Sequence, residues 1–325
     1  MCGQWSEEGY MRLRQEDLKQ EMGLADWKRL VDELADHNIP SLLLRGGEPF
    51  LYHGILELLE YIRSKGIFTA IDTNGTMLKQ YAEAISQIGN IHLTISVDGP
   101  EEIHDRVRGI QGTFQRIRDG VARLNELEQK GGHKISKSVN FTICANSYQS
   151  LGRMPDVTRD LGLPVVCIVP YYYVPEAVGV EYERILKDEL GCSAYSWRGF
   201  HHETSGVDVE LFLQELRKYK AGVQDLLDYP YMPLTELEYS TWFSNPVAPV
   251  KTLHCTNVEK LIDIQPDGEA NFCVDFPDYH FGNVRKATIA EAWNSEQAER
   301  FRKYRREKPL PVCFRCGAKY MSEQG

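Results

Sequence analysis

Ser41-Leu42-Leu43-Leu44-Arg45-Gly46-Gly47-Glu48-Pro49 is a short apolar run that stops at two glycines, an acid and a proline. A run of this length bounded by Gly and Pro reads as a buried strand passing into a helical turn. Paired glycines let a ligand approach the main chain and leave N–H groups available to it, and Glu48 adds an acceptor for a cationic group. A plain strand-to-helix turn has the same composition, so the stretch takes its meaning from its surroundings.

On the amino side, Trp27, Leu30, Val31 and Leu34 recur at helical spacing and predict a helix over 24–37. On the carboxyl side, helices and strands alternate: helix 54–65, strand 67–71 ending in Asp72-Thr73-Asn74-Gly75, helix 77–87, strand 91–97 ending in Asp98-Gly99-Pro100, helix 114–127, strand 139–144, helix 151–160 and strand 165–169. Elements interleaved in this way are βαβ units of a parallel sheet. Their polar and glycine residues gather after the strands, at the carboxyl edge where such sheets bind ligands. Five strand-helix units are legible, and the first helix has no strand before it.

From 171 to 250 the alternation stops and fourteen aromatics accumulate, among them Tyr171-Tyr172-Tyr173, Trp242 and Phe243. Helical stretches fall near 181–189 and 209–220. Most of these rings are expected to fill a core, and some to line a substrate pocket. Beyond 254, Leu261–Ile264 and Ala270–Cys273 flank Gln265-Pro266-Asp267-Gly268, a hairpin with glycine where positive φ is needed. One helix is expected over 289–306. The expected domains are 1–174, a partial barrel; 175–252, an aromatic-rich helical insert and linker; and 253–325, a small metal-binding domain.

At 325 residues the chain is long enough for about two domains. A net charge of −10 argues against a nucleic-acid-binding face. The longest apolar run, 161–175, is too short to span a bilayer. No basic start with an apolar region suggests a signal peptide, so the expectation is a cytoplasmic protein with no membrane or nucleic-acid partner. Of the eight cysteines, four lie in the last 71 residues, two as Cys313-Phe314-Arg315-Cys316. In a reducing compartment this spacing suggests metal before disulfide. Cys255, Cys273, Cys313 and Cys316 thus form a candidate four-thiolate site between hairpin and C-terminal turn, open to zinc or iron–sulfur. Cys144 and Cys167 read as small core residues.

Gly46-Gly47-Glu48-Pro49, Thr73-Asn74-Gly75, Ser96-Val97-Asp98-Gly99-Pro100 and His104-Asp105-Arg106-Val107-Arg108-Gly109 together resemble the radical SAM superfamily. The tail resembles its SPASM/twitch subgroup: Cys255, twelve residues, Gly268, four residues, Cys273, then Gly282-Asn283, Trp293-Asn294-Ser295 and Cys313-x-x-Cys316-Gly317. The resemblance covers all but roughly 175–250. It implies an α/β fold, a partial (β/α)6 TIM-like barrel lacking its first strand, with a C-terminal hairpin-and-helix twitch domain. It implies S-adenosylmethionine (SAM), a [4Fe–4S] radical cluster and one auxiliary [4Fe–4S] cluster on Cys255, Cys273, Cys313 and Cys316, because position 322, where longer members carry a further cysteine, is Ser. Members carry CxxxCxxC after the first strand; Met1-Cys2 resembles its end. The expectation is therefore a chain truncated at its amino side, or a paralogue without its radical cluster, that does not cleave SAM as it stands.

Carried over residue by residue, Gly46, Gly47, Glu48 and Pro49 would bind the methionine amino group. Thr73, Asn74, Ser96 and Asp98 would line the ribose and methionine side, Arg108 would meet the carboxylate, and Asn140, Thr142 and Val169 would face adenine. Asp275, two residues past Cys273, is the candidate base. The implied function is hydrogen abstraction by a 5′-deoxyadenosyl radical, in a peptide maturase served by a donor such as flavodoxin or ferredoxin. A small alcohol or sugar dehydrogenase, and a non-catalytic barrel with a structural zinc site, are the alternatives.

Overall fold

The computed structural model describes residues 3–5, 7–13, 21–250 and 255–317. They form two compact units. One comprises Trp27–Pro170 and Val207–Tyr231; the other is drawn from Met1–Asp26, Tyr171–Gly206 and Met232–Gly325.

The first unit is a six-stranded parallel sheet in sequential order: β1 (Ser41–Leu44), β2 (Phe68–Thr73), β3 (Ile91–Ser96), β4 (Ser136–Ile143), β5 (Val165–Pro170) and β6 (Leu227–Asp228). Helices Ile55–Ser64, Leu78–Ile88 and Thr113–Gln129 connect the first four strands, as the periodicity predicts. A further helix, Glu101–Arg108, follows β3. One face of the sheet is closed and mainly apolar: Ile71, Leu93, Ile95, Val139, Phe141, Val166 and Ile168 are at most 3 % exposed. The other face alternates with it. In parallel register it sets Asp72 beside Thr94 and Ser138, then Ser96 beside Asn140 and Cys167, then Thr142 beside Val169. Parallel strands buried on both faces are apolar throughout; here one face keeps polar, mostly half-buried side chains.

The sixth strand comes from the segment that the sequence assigned to the insert. Leu227, Tyr229 and Tyr231 donate their N–H groups to the carbonyls of Pro164, Val166 and Ile168 at 3.0, 3.0 and 3.1 Å. The alternate residues face outward, and one of them, Pro230, has no N–H, which blunts that edge. Among the described residues the β1 strand Ser41–Leu44 holds no proline of its own, and Ile39, Leu43 and Phe68 are 40 %, 37 % and 38 % exposed there.

The second unit holds a small antiparallel sheet, β7 (Asp263–Ile264), β8 (Glu269–Asn271) and β9 (Gly282–Asn283). Gly268 has φ +88°, and a Cβ there would stand 2.8 Å from the Arg285 side chain, so the predicted turn glycine is required. The third strand was not foreseen. The single helix expected over 289–306 is two, Ile289–Trp293 and Glu296–Glu307, because Ser295 accepts from the Ala298 N–H at 3.1 Å and starts the second as its N-cap. Phe272 stacks on Phe281 and Phe301, and the Arg302 guanidinium lies 4.9 Å from Phe272 and 4.3 Å from Trp293. The aromatic segment mostly fills core: Tyr173, Tyr182, Trp197, Phe200, Trp242 and Phe243 are buried. Asp278, 6 % exposed, anchors it, accepting from Tyr182 Oη at 2.9 Å, from the Tyr195 and Ser196 N–H groups at 2.8 and 3.0 Å, and from the Ser196 hydroxyl. Among the described residues no helix is long and apolar enough to cross a membrane.

Candidate functional site

At the end of β1 the chain turns through Gly46, whose φ of +138° excludes other residues and beside which no atom lies within 4 Å of an added Cβ. The turn delivers Glu48 as N-cap of the Pro49–Leu51 turn, with Pro49 at its first position. Its carboxylate accepts from Phe50 N–H at 3.3 Å, Thr73 Oγ1 at 2.8 Å and Asn74 N–H at 2.7 Å, which ties the ends of β1 and β2 together. Burial pushes the Glu48 carboxyl above its ordinary value, and the three donors only partly offset it. A half-buried carboxylate in this state favours a cation nearby.

Asn74 is turned into its own loop, its Oδ1 accepting from Thr76 N–H and Oγ1 at 2.9 and 2.6 Å. Ser96 and Thr142 present hydroxyls that make no hydrogen bond among the described residues, on the same face as Asn140 and Val169. The Asn140 Oδ1 is buried without a donor, an acceptor vacancy of the kind that an exocyclic amine fills.

Asp98 is 0 % exposed. Arg108 Nε and Nη2 donate to its two oxygens at 2.5 and 3.2 Å, and His104 Nδ1 lies 3.3 Å away. Burial raises its pKa, but His104 and Arg108 outweigh burial and hold it below the ordinary carboxylate range. Both Asp98 oxygens thus accept from the Arg108 guanidinium. Sequence reasoning missed His104 as its second partner, and missed Asp105, which caps the next helix by accepting from Gly112 N–H, Thr113 Oγ1 and Phe114 N–H. Both stand in the quoted His104–Gly109 stretch, and their signal was a His-Asp pair inside a short helix.

In the second unit, Cys255, Cys273, Cys313 and Cys316 border one cavity with Asp275 and Arg305. Burial and then the neighbouring thiols push Cys255 up and Cys273 far up, as expected of thiols whose ionisation awaits a metal centre. A cubane iron–sulfur cluster takes four thiolates, each on its own iron. The donor set fits the cluster. Asp275 is 7 % exposed and accepts from Tyr172 Oη at 2.9 Å, so it is a buried, held carboxylate rather than a solvated one. Cys2 lies outside the described residues. Cys144 is buried as expected, whereas Cys167 sits on the polar sheet face, its thiol pushed up to about 12 by burial.

Residues 1–142 match the family model described as the radical SAM superfamily, and residues 255–317 that of an iron–sulfur cluster-binding domain, SPASM. The chain is 30 % identical over 295 residues to the PqqA peptide cyclase of Rhodopseudomonas palustris, covering 88 % of this chain and 68 % of that protein. It is 25 % identical over 323 residues to the Fe-coproporphyrin III synthase of Methanosarcina barkeri, covering 94 % and 76 %. Among solved structures, anSMEcpe with bound AdoMet and Kp18Cys peptide shares the fold at TM-score 0.59 and 14 % identity, over 91 % of this chain and 76 % of that one. Streptococcus suis SuiB shares it at TM-score 0.58 and 15 % identity, over 84 % of this chain and 59 % of SuiB.

Proposed function

Because this chain belongs to the radical SAM superfamily and carries its SPASM iron–sulfur domain, we propose that it is the SAM-binding and auxiliary-cluster scaffold of a peptide-modifying radical enzyme. The family's cofactors are SAM, a [4Fe–4S] cluster on the radical SAM domain and iron–sulfur on the SPASM domain. When bound and reduced, they supply a 5′-deoxyadenosyl radical that takes hydrogen from an unactivated carbon.

The observation that carries this reading is the half-buried Glu48 carboxylate, raised toward protonation and fixed beside an open glycine turn. Glu48 would receive the methionine ammonium and Arg108, steered by Asp98, its carboxylate. Ser96 and Thr142 offer hydroxyls along the same face, Asn140 an unfilled acceptor for adenine, and Val169 an apolar edge. In the other unit, Asp275 and Tyr172 hold a proton acceptor at the border of the thiol cavity, and Cys255, Cys273, Cys313 and Cys316 would hold the auxiliary cluster.

The PqqA peptide cyclase relative supports a peptide substrate. A tetrapyrrole side chain is the second reading, favoured by the match over 94 % of this chain to the Fe-coproporphyrin III synthase. A low-potential flavodoxin or ferredoxin would be the electron donor. The test uses the protein carrying a complete CxxxCxxC motif, anaerobically assembled, reduced with dithionite and given SAM. 5′-Deoxyadenosine should form and be lost in Glu48→Gln; formation undiminished in that variant contradicts the proposed SAM site.

A further inference from the structure

Helix Glu296–Glu307 carries four arginines, and its surroundings treat the last three differently. Arg306 pairs with Glu259 and Glu299 at 2.9 Å. Arg302 stands 3.9 Å from the same two carboxylates. Arg305 is 8 % exposed and borders the cavity that Cys255, Cys273, Cys313 and Cys316 share. Among the described residues, its hydrogen bond runs from Nη1 to the Lys308 carbonyl at 2.5 Å, and no carboxylate forms an ion pair with it. A guanidinium stays charged at any working pH, and a buried charge without a counter-ion is among the most unfavourable features a fold can carry. Glu299 of this helix and Glu259 are engaged by Arg302 and Arg306, which leaves Arg305 at the cavity that the four thiols and Asp275 line.

We propose that Arg305 is the charge-compensating residue of the four-thiolate site and that its guanidinium sets how readily the group held there takes up an electron. The inference rests on the iron–sulfur reading of those four cysteines. An iron–sulfur core with four thiolates is net negative and gains one further negative charge on reduction. A fixed cation in the same water-poor cavity stabilises the reduced form more than the oxidised one, since its attraction grows with the charge it faces. Arg305 touches neither substrate nor reacting atoms; it acts through the cluster.

The test is an EPR-monitored redox titration of the C-terminal cluster in anaerobically assembled holoprotein, with iron and sulfide measured on the same samples, for wild type, Arg305→Lys and Arg305→Gln. The midpoint potential should move to more negative values in Arg305→Gln and stay close to wild type in Arg305→Lys, at unchanged iron content. Loss of the cluster in Arg305→Gln alone, with Arg305→Lys still loaded, also supports a requirement for the charge. An unchanged potential in a fully loaded Arg305→Gln, or equal loss of cluster in both variants, overturns the inference. Failure of the underlying reading looks different: wild type itself would then lack iron and sulfide dependent on Cys273 and Cys313.

Discussion

Burial drives the Glu48 carboxyl toward its protonated form, and that direction makes a pH signature. Between the ordinary carboxylate value and its own raised value, the folded chain holds a proton that the unfolded chain has released, so Glu48 lowers stability as pH rises through that window. Binding of an ammonium group needs the ionised form. SAM affinity, measured by calorimetry on the cluster-loaded protein, should therefore strengthen as pH rises through the same window, and Glu48→Gln should both weaken binding and remove that dependence. Asp98 behaves oppositely. Its pKa is depressed, so its contribution is present above the usual carboxylate range and is lost as pH falls through the depressed value. Asp98→Asn should leave Arg108 unsteered and weaken SAM binding by about 1–3 kcal/mol, roughly 5- to 150-fold; unchanged affinity would show that Arg108 needs no such support. Glu48, the glycine turn and Thr73 were legible because motif and backbone need coincide there. The Asp98–Arg108 pair was not, because sequence gives a residue type and only packing shows that both Asp98 oxygens accept from Arg108.

The elements that sequence reading found are those with enough residues to show a period. Helices such as Leu24–Asp36, Ile55–Ser64 and Thr113–Gln129 and strands β2 to β5 repeat their apolar positions over several turns or alternations. Two-residue β6 and β9 show none, since Leu227-Asp228 and Gly282-Asn283 owe their pairing to neighbours remote in the chain. The break at Ser295 was available in the sequence as an N-cap serine but was outvoted by continuous helix formers on both sides. At the β1 edge the exposed Leu43 leaves pairing groups without the proline that protects β6. Leu43→Lys should reduce concentration-dependent self-association in light scattering while changing unfolding free energy by no more than about 0.5 kcal/mol. Helix Glu236–Ser244 begins with a full capping box at Thr235 and Glu238; Thr235→Ala should cost about 1 kcal/mol in denaturant unfolding.

Across the whole molecule, two kinds of chemistry sit on two compact units: a parallel sheet with one polar face, and a small sheet with four thiols beside its hairpin. Joint motifs made the family legible, because glycine turns and cysteine spacings are fixed by what they must hold. The electrostatics of the thiol site were not legible, since nothing in the spacing of Arg302, Arg305 and Arg306 tells which of them lacks a carboxylate. The most direct measurement is the iron, acid-labile sulfide and zinc content of the anaerobically assembled protein against its Cys273→Ser/Cys313→Ser variant. The account predicts that the variant loses about four irons and about four sulfides per chain. Stoichiometric zinc in the wild type with no sulfide difference between the two proteins would contradict it.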